Sequence, residues 1–460
     1  MNGLLRNRAA WLFAMLLVVA ALVGAGCGGD DDEGSGGGTE TTATDTGGET
    51  STAAETAEMV DLANCSEVFG EGQFTIVSDL PLQGSSRLQT EQMVEGIKYV
   101  LEQREYKAGN YTVQYQSCDD ATAQAAKWDS AVCSANANAY ARNEDVIGVI
   151  GTFNSGCAAI EIPILGRAPN GPVAMVSPAN TYVGLTHTGP GLEEGEPDKY
   201  YPTGTRNYAR VVAADDFQGA ADALLAQKLK VKSVYILNDK ESYGLGVARQ
   251  FERAAKKLDI KVAGFAAWDP KASSYESTFQ KVKASGADAV FLGGLIDENG
   301  GQVIKDKVSV LGDNEKVILI APDGFTTTAT LTGEGSAGPA AEGMYLSVAG
   351  QPPDKLTGAG KEFIDGFKEA QGLDAVEPYT AYAAQALEVI LTAIEESDGT
   401  RADVASKLFG IQITGGILGD FTINENGDSD QNPVTIFKAT GGKLATHDVI
   451  VPPADLVTQE

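Results

Sequence analysis

The chain has 460 residues, enough for two domains with their own cores. Its 63 acidic residues against 34 basic ones give a formal net charge of −29. Such a surface repels nucleic acid and anionic lipid, which excludes both as partners of the folded body.

The first residues read MNGLLRNRAA WLFAMLLVVA ALVGAGC. Arg6 and Arg8 form a basic start, Ala9–Val23 an apolar core, and Gly24, Ala25 and Gly26 a small-residue end. That is a signal-peptide pattern, and it is short of the about 20 apolar residues a membrane span needs. Gly26-Cys27 resembles a bacterial lipoprotein processing site, with Gly24 where Leu is usual. The expectation is a signal peptide over 1–26, acylation of Cys27, and an extracytoplasmic protein anchored to the membrane by lipid. An ordinary secreted protein cut nearby is the alternative. Residues 27–60 are rich in Gly, Thr, Asp and Glu and have no aromatic side chain. They cannot bury enough apolar area to offset ordering, so they are expected to form a disordered acidic tether.

Beyond the tether, apolar strand-like runs alternate with helical patterns. The runs are FTIVSDL, YTVQYQS, DVIGVIG, GPVAMVSP, KSVYILND, KVAGFAAW, ADAVFLGG and KVILIAPDG. The helical stretches include 91–104, 217–229, 247–258 and 274–284, followed by 355–371 and 380–397. Strands of this kind separated by helices predict an α/β fold with parallel sheets covered on both faces. Four strands precede Pro178 and four lie between Lys232 and Gly324. This grouping predicts two doubly wound lobes joined by a hinge. Lobe 1 is expected over 66–212 with 348–418, and lobe 2 over 213–347 with 419–455.

Besides Cys27 there are four cysteines: Cys65, Cys118, Cys133 and Cys157. An exported chain permits disulfides, and four cysteines allow three connectivities. Cys118–Cys133 is the first expectation, because it closes a short loop. No CxxC spacing or histidine partner suggests zinc, and no metal or cofactor is expected.

In such sheets, ligands bind beyond the carboxyl ends of the strands. The third strand ends at Thr152-Phe153-Asn154-Ser155-Gly156. Ser155 is expected to cap the helix that follows and, with its free N–H groups, to receive an anion, while Gly156 lets a ligand approach the backbone. The fourth strand leads to Ala179, Asn180 and Thr181. In the other lobe, Tyr243 and Asp323 stand just past strand ends. Hydroxyls and amides on one side and an acid with a ring on the other suit a zwitterion. Gln83, Ser85 and Ser86 are candidates to reach the cleft, and Tyr200 and Tyr201 either line it or pack the hinge. The chain has two histidines, His187 and His447, and none of GxSxG, HExxH or GxxxxGK[ST], so an enzyme is not expected. Cys157, near Ser155, has no histidine placed to activate it, so a disulfide or a packing role is expected for it rather than a nucleophilic one.

GTFNSGCA, VSPANTYVGLT, LNDKESYGLGVAR, FLGG and APDG, in this order, resemble the extracytoplasmic substrate-binding proteins of ABC transporters. Within them the chain is similar to the leucine/isoleucine/valine-binding family, which has the type I periplasmic binding fold. DLPLQGSSR and GEPDKYYPTGTRNYARV resemble the lipoprotein branch of high-GC Gram-positive bacteria. The resemblance spans about residues 66–450. It implies that Ser155 and Thr181, with the backbone of Ala179, hold a ligand carboxylate. It implies further that Asp323 pairs with an α-ammonium and that Tyr243 closes over the ligand. Leu295 stands where the family often has an aromatic residue, and Asp323 where Glu is common. The implied function is delivery of a small, branched-chain-like amino acid to a membrane permease by a monomer. A receptor for urea or short amides, and a ligand sensor without transport, are the alternatives.

Overall fold

A computed structural model of the chain describes residues 62–189 and 191–457. The expected signal peptide, Cys27 and the expected tether lie outside these residues. No helix among those described is long and apolar enough to cross a membrane.

All eight strand-like runs form strands, and the rest of the sheets comes from shorter segments. The first lobe carries β1 (Phe74–Leu80), β2 (Lys107–Ala108), β3 (Tyr111–Asp119), the small hairpin β4 (Ala121–Thr122) and β5 (Lys127–Trp128), then β6 (Val146–Gly151), β7 (Ala174–Ser177) and β8 (Tyr208–Arg210). Its six-stranded sheet has the order β2-β3-β1-β6-β7-β8 and is parallel apart from β2. The second lobe carries β9 (Ser233–Asn238), β10 (Lys261–Ala267), β11 (Ala289–Gly293), β12 (Ile318–Ala321) and β13 (Tyr345–Val348). After a separate hairpin, β14 (Gln412–Gly416) and β15 (Gly419–Thr422), the chain adds β16 (Val434–Thr440) and β17 (Lys443–Ile450). The second sheet runs β10-β9-β11-β12-β13-β16-β17, with the last two strands antiparallel.

The central strands of both sheets are buried on both faces, as the continuous apolar runs require, while the edge strands β10 and β17 are partly exposed. In β6 a register shift against β1 skips Ile147 and breaks the alternation, so Ile147 and Ile150 join one core while Val146 and Val149 join another. In β11, Ala289 and Phe291 point one way and Val290 and Leu292 the other. This two-residue alternation sends side chains to opposite faces. The helices that cover the first sheet are α1 (Arg87–Gln103), α2 (Ser130–Arg142) and α3 (Ser155–Leu165). The second is covered by α4 (Asp215–Lys228), α5 (Ser242–Lys257), α6 (Glu276–Ser285) and α7 (Gly301–Leu311). On α5, Tyr243, Val247, Phe251 and Ala255 recur every four residues and form the buried stripe. Phe251 stacks on Phe291 with ring centroids 4.0 Å apart, and truncating either ring to alanine costs about 3–5 kcal/mol. Past α8 (Thr328–Leu331), helices α9 (Ala359–Gln371) and α10 (Thr380–Glu395) pack into the core of the first sheet through Phe363, Phe367, Leu387 and Ile390.

The chain passes between the sheets three times, and the passages are tied to one another. Ala213 N–H donates to Ala349 O at 3.1 Å, and Arg210 N–H donates to Gly427 O at 2.8 Å. The Arg210 side chain is fully buried there and grips the Asp428 carboxylate through Nε at 2.7 Å. His187 lies between Asp428 (3.0 Å) and Asp216 (3.3 Å).

The disulfides correct the sequence expectation. Cys118 pairs with Cys65, not Cys133, and Cys133 pairs with Cys157. The short loop between Cys118 and Cys133 is not what decides. Cys65 bridges alongside the end of β3, and α2 packs against α3, which brings Cys133 to Cys157.

Candidate functional site

A cavity of about 20 Å³ lies where the strand ends of the two lobes meet. Lobe 1 lines it with Trp128, Phe153, Asn154, Ser155, Gly156 and Ala179, and lobe 2 with Glu241, Tyr243, Leu295, Asp323 and Gly324. Ser155 and Asp323 therefore share one cavity, and both are nearly inaccessible to solvent, at 3% and 7% exposure.

On the lobe 1 side, α3 begins at Ser155, with Asn154 as its N-cap. Ser155 does not cap the helix, as it was expected to do. Its hydroxyl instead accepts a long hydrogen bond, 3.4 Å, from Tyr182 N–H. The first N–H groups of α3 have no partner within the helix, so they and the helix dipole favour an anion at this end. The space beside Gly156 is taken by protein, not left for ligand: a Cβ there would stand 2.7 Å from the Trp128 ring. Trp128 itself brings a buried indole N–H without a hydrogen-bond partner to the cavity wall.

Three residues on the fourth strand's exit were expected at the site, and the structure separates them. Ala179 lines the cavity, but its N–H already donates to Ser177 Oγ at 3.1 Å. Asn180 is turned into the interior, donating to Phe153 O at 3.0 Å and accepting from the Tyr208 hydroxyl at 3.2 Å. Thr181 is fully buried and does not line the cavity. Its carbonyl accepts from Asp215 N–H at 2.8 Å, and its hydroxyl faces the Asp215 carboxyl. A carboxylate placed beside Thr181 would meet that acid.

On the lobe 2 side, Asp323 is set by two tyrosines, Tyr243 of its own lobe and Tyr379 reaching across from the core of lobe 1. Tyr243 donates to its Oδ1 at 2.5 Å and Tyr379 to its Oδ2 at 2.9 Å. The Tyr243 oxygen also accepts Gly324 N–H at 2.9 Å. Burial raises the Asp323 pKa, and the two phenols pull it back by stabilising the carboxylate. Tyr243 thus holds the acid in place as well as walling the cavity. Asp215 is buried behind, with neither carboxyl oxygen hydrogen-bonded. Burial, then the nearby Asp323, push its pKa well up.

The lobes are also bound to each other at the rim. Asp297 of lobe 2 accepts from Ser85 N–H at 2.8 Å, Ser86 N–H at 3.1 Å and the Ser86 hydroxyl. Lys127 on β5 reaches Glu241 at 3.2 Å and also pairs with buried Glu298. Of the loop after β1, Ser85 and Ser86 thus contact the opposite lobe, whereas Gln83 donates to Asp119 at 2.8 Å within its own lobe. Tyr200 and Tyr201 do not line the cavity. Their hydroxyls donate to Glu196 (2.6 Å) and Leu185 O (2.7 Å) inside the lobe 1 core.

Trp128, Glu241, Asp297 and Tyr379 were not found from sequence. Trp128 belongs to a two-residue strand, and Tyr379 precedes a helix 56 residues beyond the acid it holds. The group of Asp120, Cys133 and Cys157 has both sulfurs locked in a disulfide.

The model of the family described as "Periplasmic binding protein" matches residues 75–443. A Leu/Ile/Val-binding protein homologue of Brucella abortus is 26% identical over 371 residues, covering 79% of this chain and 89% of that protein. A leucine-, isoleucine-, valine-, threonine- and alanine-binding protein of Pseudomonas aeruginosa is 27% identical over 236 residues, half of this chain and 59% of its own length. The leucine-binding protein of Thermotoga maritima superposes with a TM-score of 0.69 at 22% identity, over 82% of this chain and 99% of its own. An ABC-transporter solute-binding protein of Rhodopseudomonas palustris, solved with p-hydroxybenzoic acid, gives 0.69 at 18% identity, over 83% and 98%. Two doubly wound lobes closing on a cavity between their strand ends, with a family match over most of the folded chain, lead to one conclusion: this chain belongs to the periplasmic binding protein family.

Proposed function

We propose that this chain is an extracytoplasmic receptor that binds a small amino acid between its lobes and delivers it to an ABC-transporter permease. The observation that supports this best is the pairing across one cavity: the N–H groups and Ser155 at the start of α3 on one side, and Asp323 held by two tyrosines on the other. A carboxylate is favoured at the first and an ammonium at the second. The reading is of a binding protein, not a catalyst.

Ligand entry requires the lobes to part, since the lining residues are buried and cross-lobe bonds close the rim. In this reading the N-terminal segment, through a lipid on Cys27, keeps the receptor at the membrane near its permease. Branched-chain amino acids are the first class to test, because Leu295 and Phe153 supply apolar wall and the relatives' names point the same way.

A thermal-shift screen tests the reading, because a ligand that binds only the folded state raises its melting temperature. The panel contains leucine, isoleucine, valine, alanine, urea, short amides and p-hydroxybenzoate. Stabilisation by an amino acid is expected. Stabilisation by the benzoate alone, which has no ammonium, would overturn the role given to Asp323.

A further inference from the structure

Trp128 reaches the cavity wall on the hairpin of β4 and β5, which pairs Ala121 with Trp128 and Thr122 with Lys127. Neighbours on a strand point to opposite faces. Lys127 accordingly crosses to Glu241 and Glu298 of lobe 2, and Trp128 turns back onto α3 of its own lobe. The residue it meets there is Gly156, the second of α3. A Cβ on Gly156 would stand 2.7 Å from Cζ2 and Cη2 of the indole, and 3.6 Å from Cε2, the carbon that carries the ring nitrogen. Glycine thus admits the nitrogen-bearing edge of the ring to the first turn of the helix.

Trp128 Nε1 is shut off from solvent, and its N–H has no hydrogen-bond partner among the described residues. Trp268 shows the contrast: its Nε1 donates to Glu298 O at 2.8 Å. A buried N–H without an acceptor is costly, and buried indoles ordinarily have one. The helix end beside it is in the same condition. Cys157 and Ala158 N–H turn to Asn154 O, at 3.1 and 3.2 Å, whereas the N–H groups of Ser155 and Gly156 precede any carbonyl the helix could offer them. These donors border one end of the cavity together. The two acids of the lining are engaged elsewhere, Glu241 by Lys127 and Asp323 by its two tyrosines.

We propose that Trp128 is a ligand-binding residue whose indole N–H, with the N–H groups of Ser155 and Gly156, selects a carboxylate over the corresponding carboxamide. The inference rests on the receptor reading of the cavity and assigns the recognition of one ligand group within it. Backbone and indole N–H groups can only donate, which suits a pair of oxygens that only accept. A carboxamide would turn its own N–H groups towards at least one of these donors and leave it unpaired, and a buried polar group left unpaired is what makes such a site reject an analogue. A charged acceptor also gains more from each donor than a neutral one. Because Lys127 ties the same hairpin to lobe 2, the indole is held at α3 by a contact that exists with the lobes together.

Thermal shift, calorimetry and heteronuclear NMR of the indole N–H groups test the proposal, with leucine, alanine, the amides of both and p-hydroxybenzoate as probes. Each amino acid is expected to bind more tightly than its amide. The Trp128 N–H signal, identified by its absence in Trp128→Phe, is expected to move downfield when a carboxylate ligand is added, while that of Trp268 stays. Trp128→Phe keeps an aromatic ring and is expected to weaken the amino acid about ten- to a hundredfold, and its amide by less. Gly156→Ala displaces the indole and keeps the helix N–H groups; the same loss is expected, which covers the case where Trp128→Phe does not fold. Binding of a carboxylate without movement of the Trp128 signal, or unchanged discrimination between amino acid and amide in the folded variants, overturns the proposal and leaves the receptor reading standing. Stabilisation by the amides alone also overturns it. Movement of the signal with p-hydroxybenzoate alone supports the role of Trp128 and overturns that of Asp323 instead. Stabilisation by none of the probes overturns both.

Discussion

Asp297, in lobe 2, caps the N-terminus of α1 in lobe 1, taking Ser86 by both its N–H and its hydroxyl. A helix that begins in one lobe is thus completed by an acid from the other. The bond can exist only with the lobes together, so its energy is spent on the closed form.

Asp297→Ala is therefore expected to favour the open form. Hydrogen bonds to a charged group contribute about 1.5–3 kcal/mol each, and loss of this order weakens ligand binding about ten- to a hundredfold. Small-angle scattering should show a larger radius for the ligand-free variant, while its melting temperature changes little. Unchanged affinity together with an unchanged radius would show that the contact does not govern closure.

Tyr379→Phe separates the role of the second phenol from packing, because it keeps the ring that sits edge-on to Phe153 and Tyr382. The hydroxyl stabilises the Asp323 carboxylate, so its removal raises that pKa. Ligand affinity, followed by calorimetry from about pH 4 to 8, should begin to fall at a higher pH than in the unaltered chain. An acid limb that does not move would take Tyr379 out of the account.

His187 gives a prediction on stability. It stands between Asp216 and Asp428, and Asp428 also binds Arg210. Although burial works against the imidazolium, the two carboxylates raise its pKa from 6.5 to about 9. A raised folded-state pKa means a stabilisation fully present below about pH 6.5 and lost as pH rises through about 9. Urea unfolding of the unaltered chain and of His187→Gln should differ most at about pH 6 and converge by about pH 9.5. A constant difference across that range would contradict a charged His187.

The strands were legible because β-branched and apolar residues run without a break in segments buried on both faces, as in VIGVIG. β8 and β13 have three and four residues and give no such signal. The C-terminal antiparallel strands alternate polar and apolar residues, which does not announce a partner sheet. At the site, Ser155 and Asp323 could be placed because each follows a strand directly. Asn180 and Thr181 follow one too, yet a turn centred on Ser177 points both away from the cavity. Trp128 enters from a two-residue strand and Asp297 from a five-residue helical turn, and segments that short carry no local pattern that announces a place at the site.

The Asp323 carboxylate carries the central claim. The measurement is calorimetric titration of the unaltered chain and of Asp323→Ala with leucine, or with whichever amino acid stabilises the protein most. Removing one partner of a buried ion pair costs about 3–5 kcal/mol, so affinity should fall roughly a hundred- to several-thousandfold. Binding by a folded Asp323→Ala chain within about threefold of the unaltered protein would contradict the account.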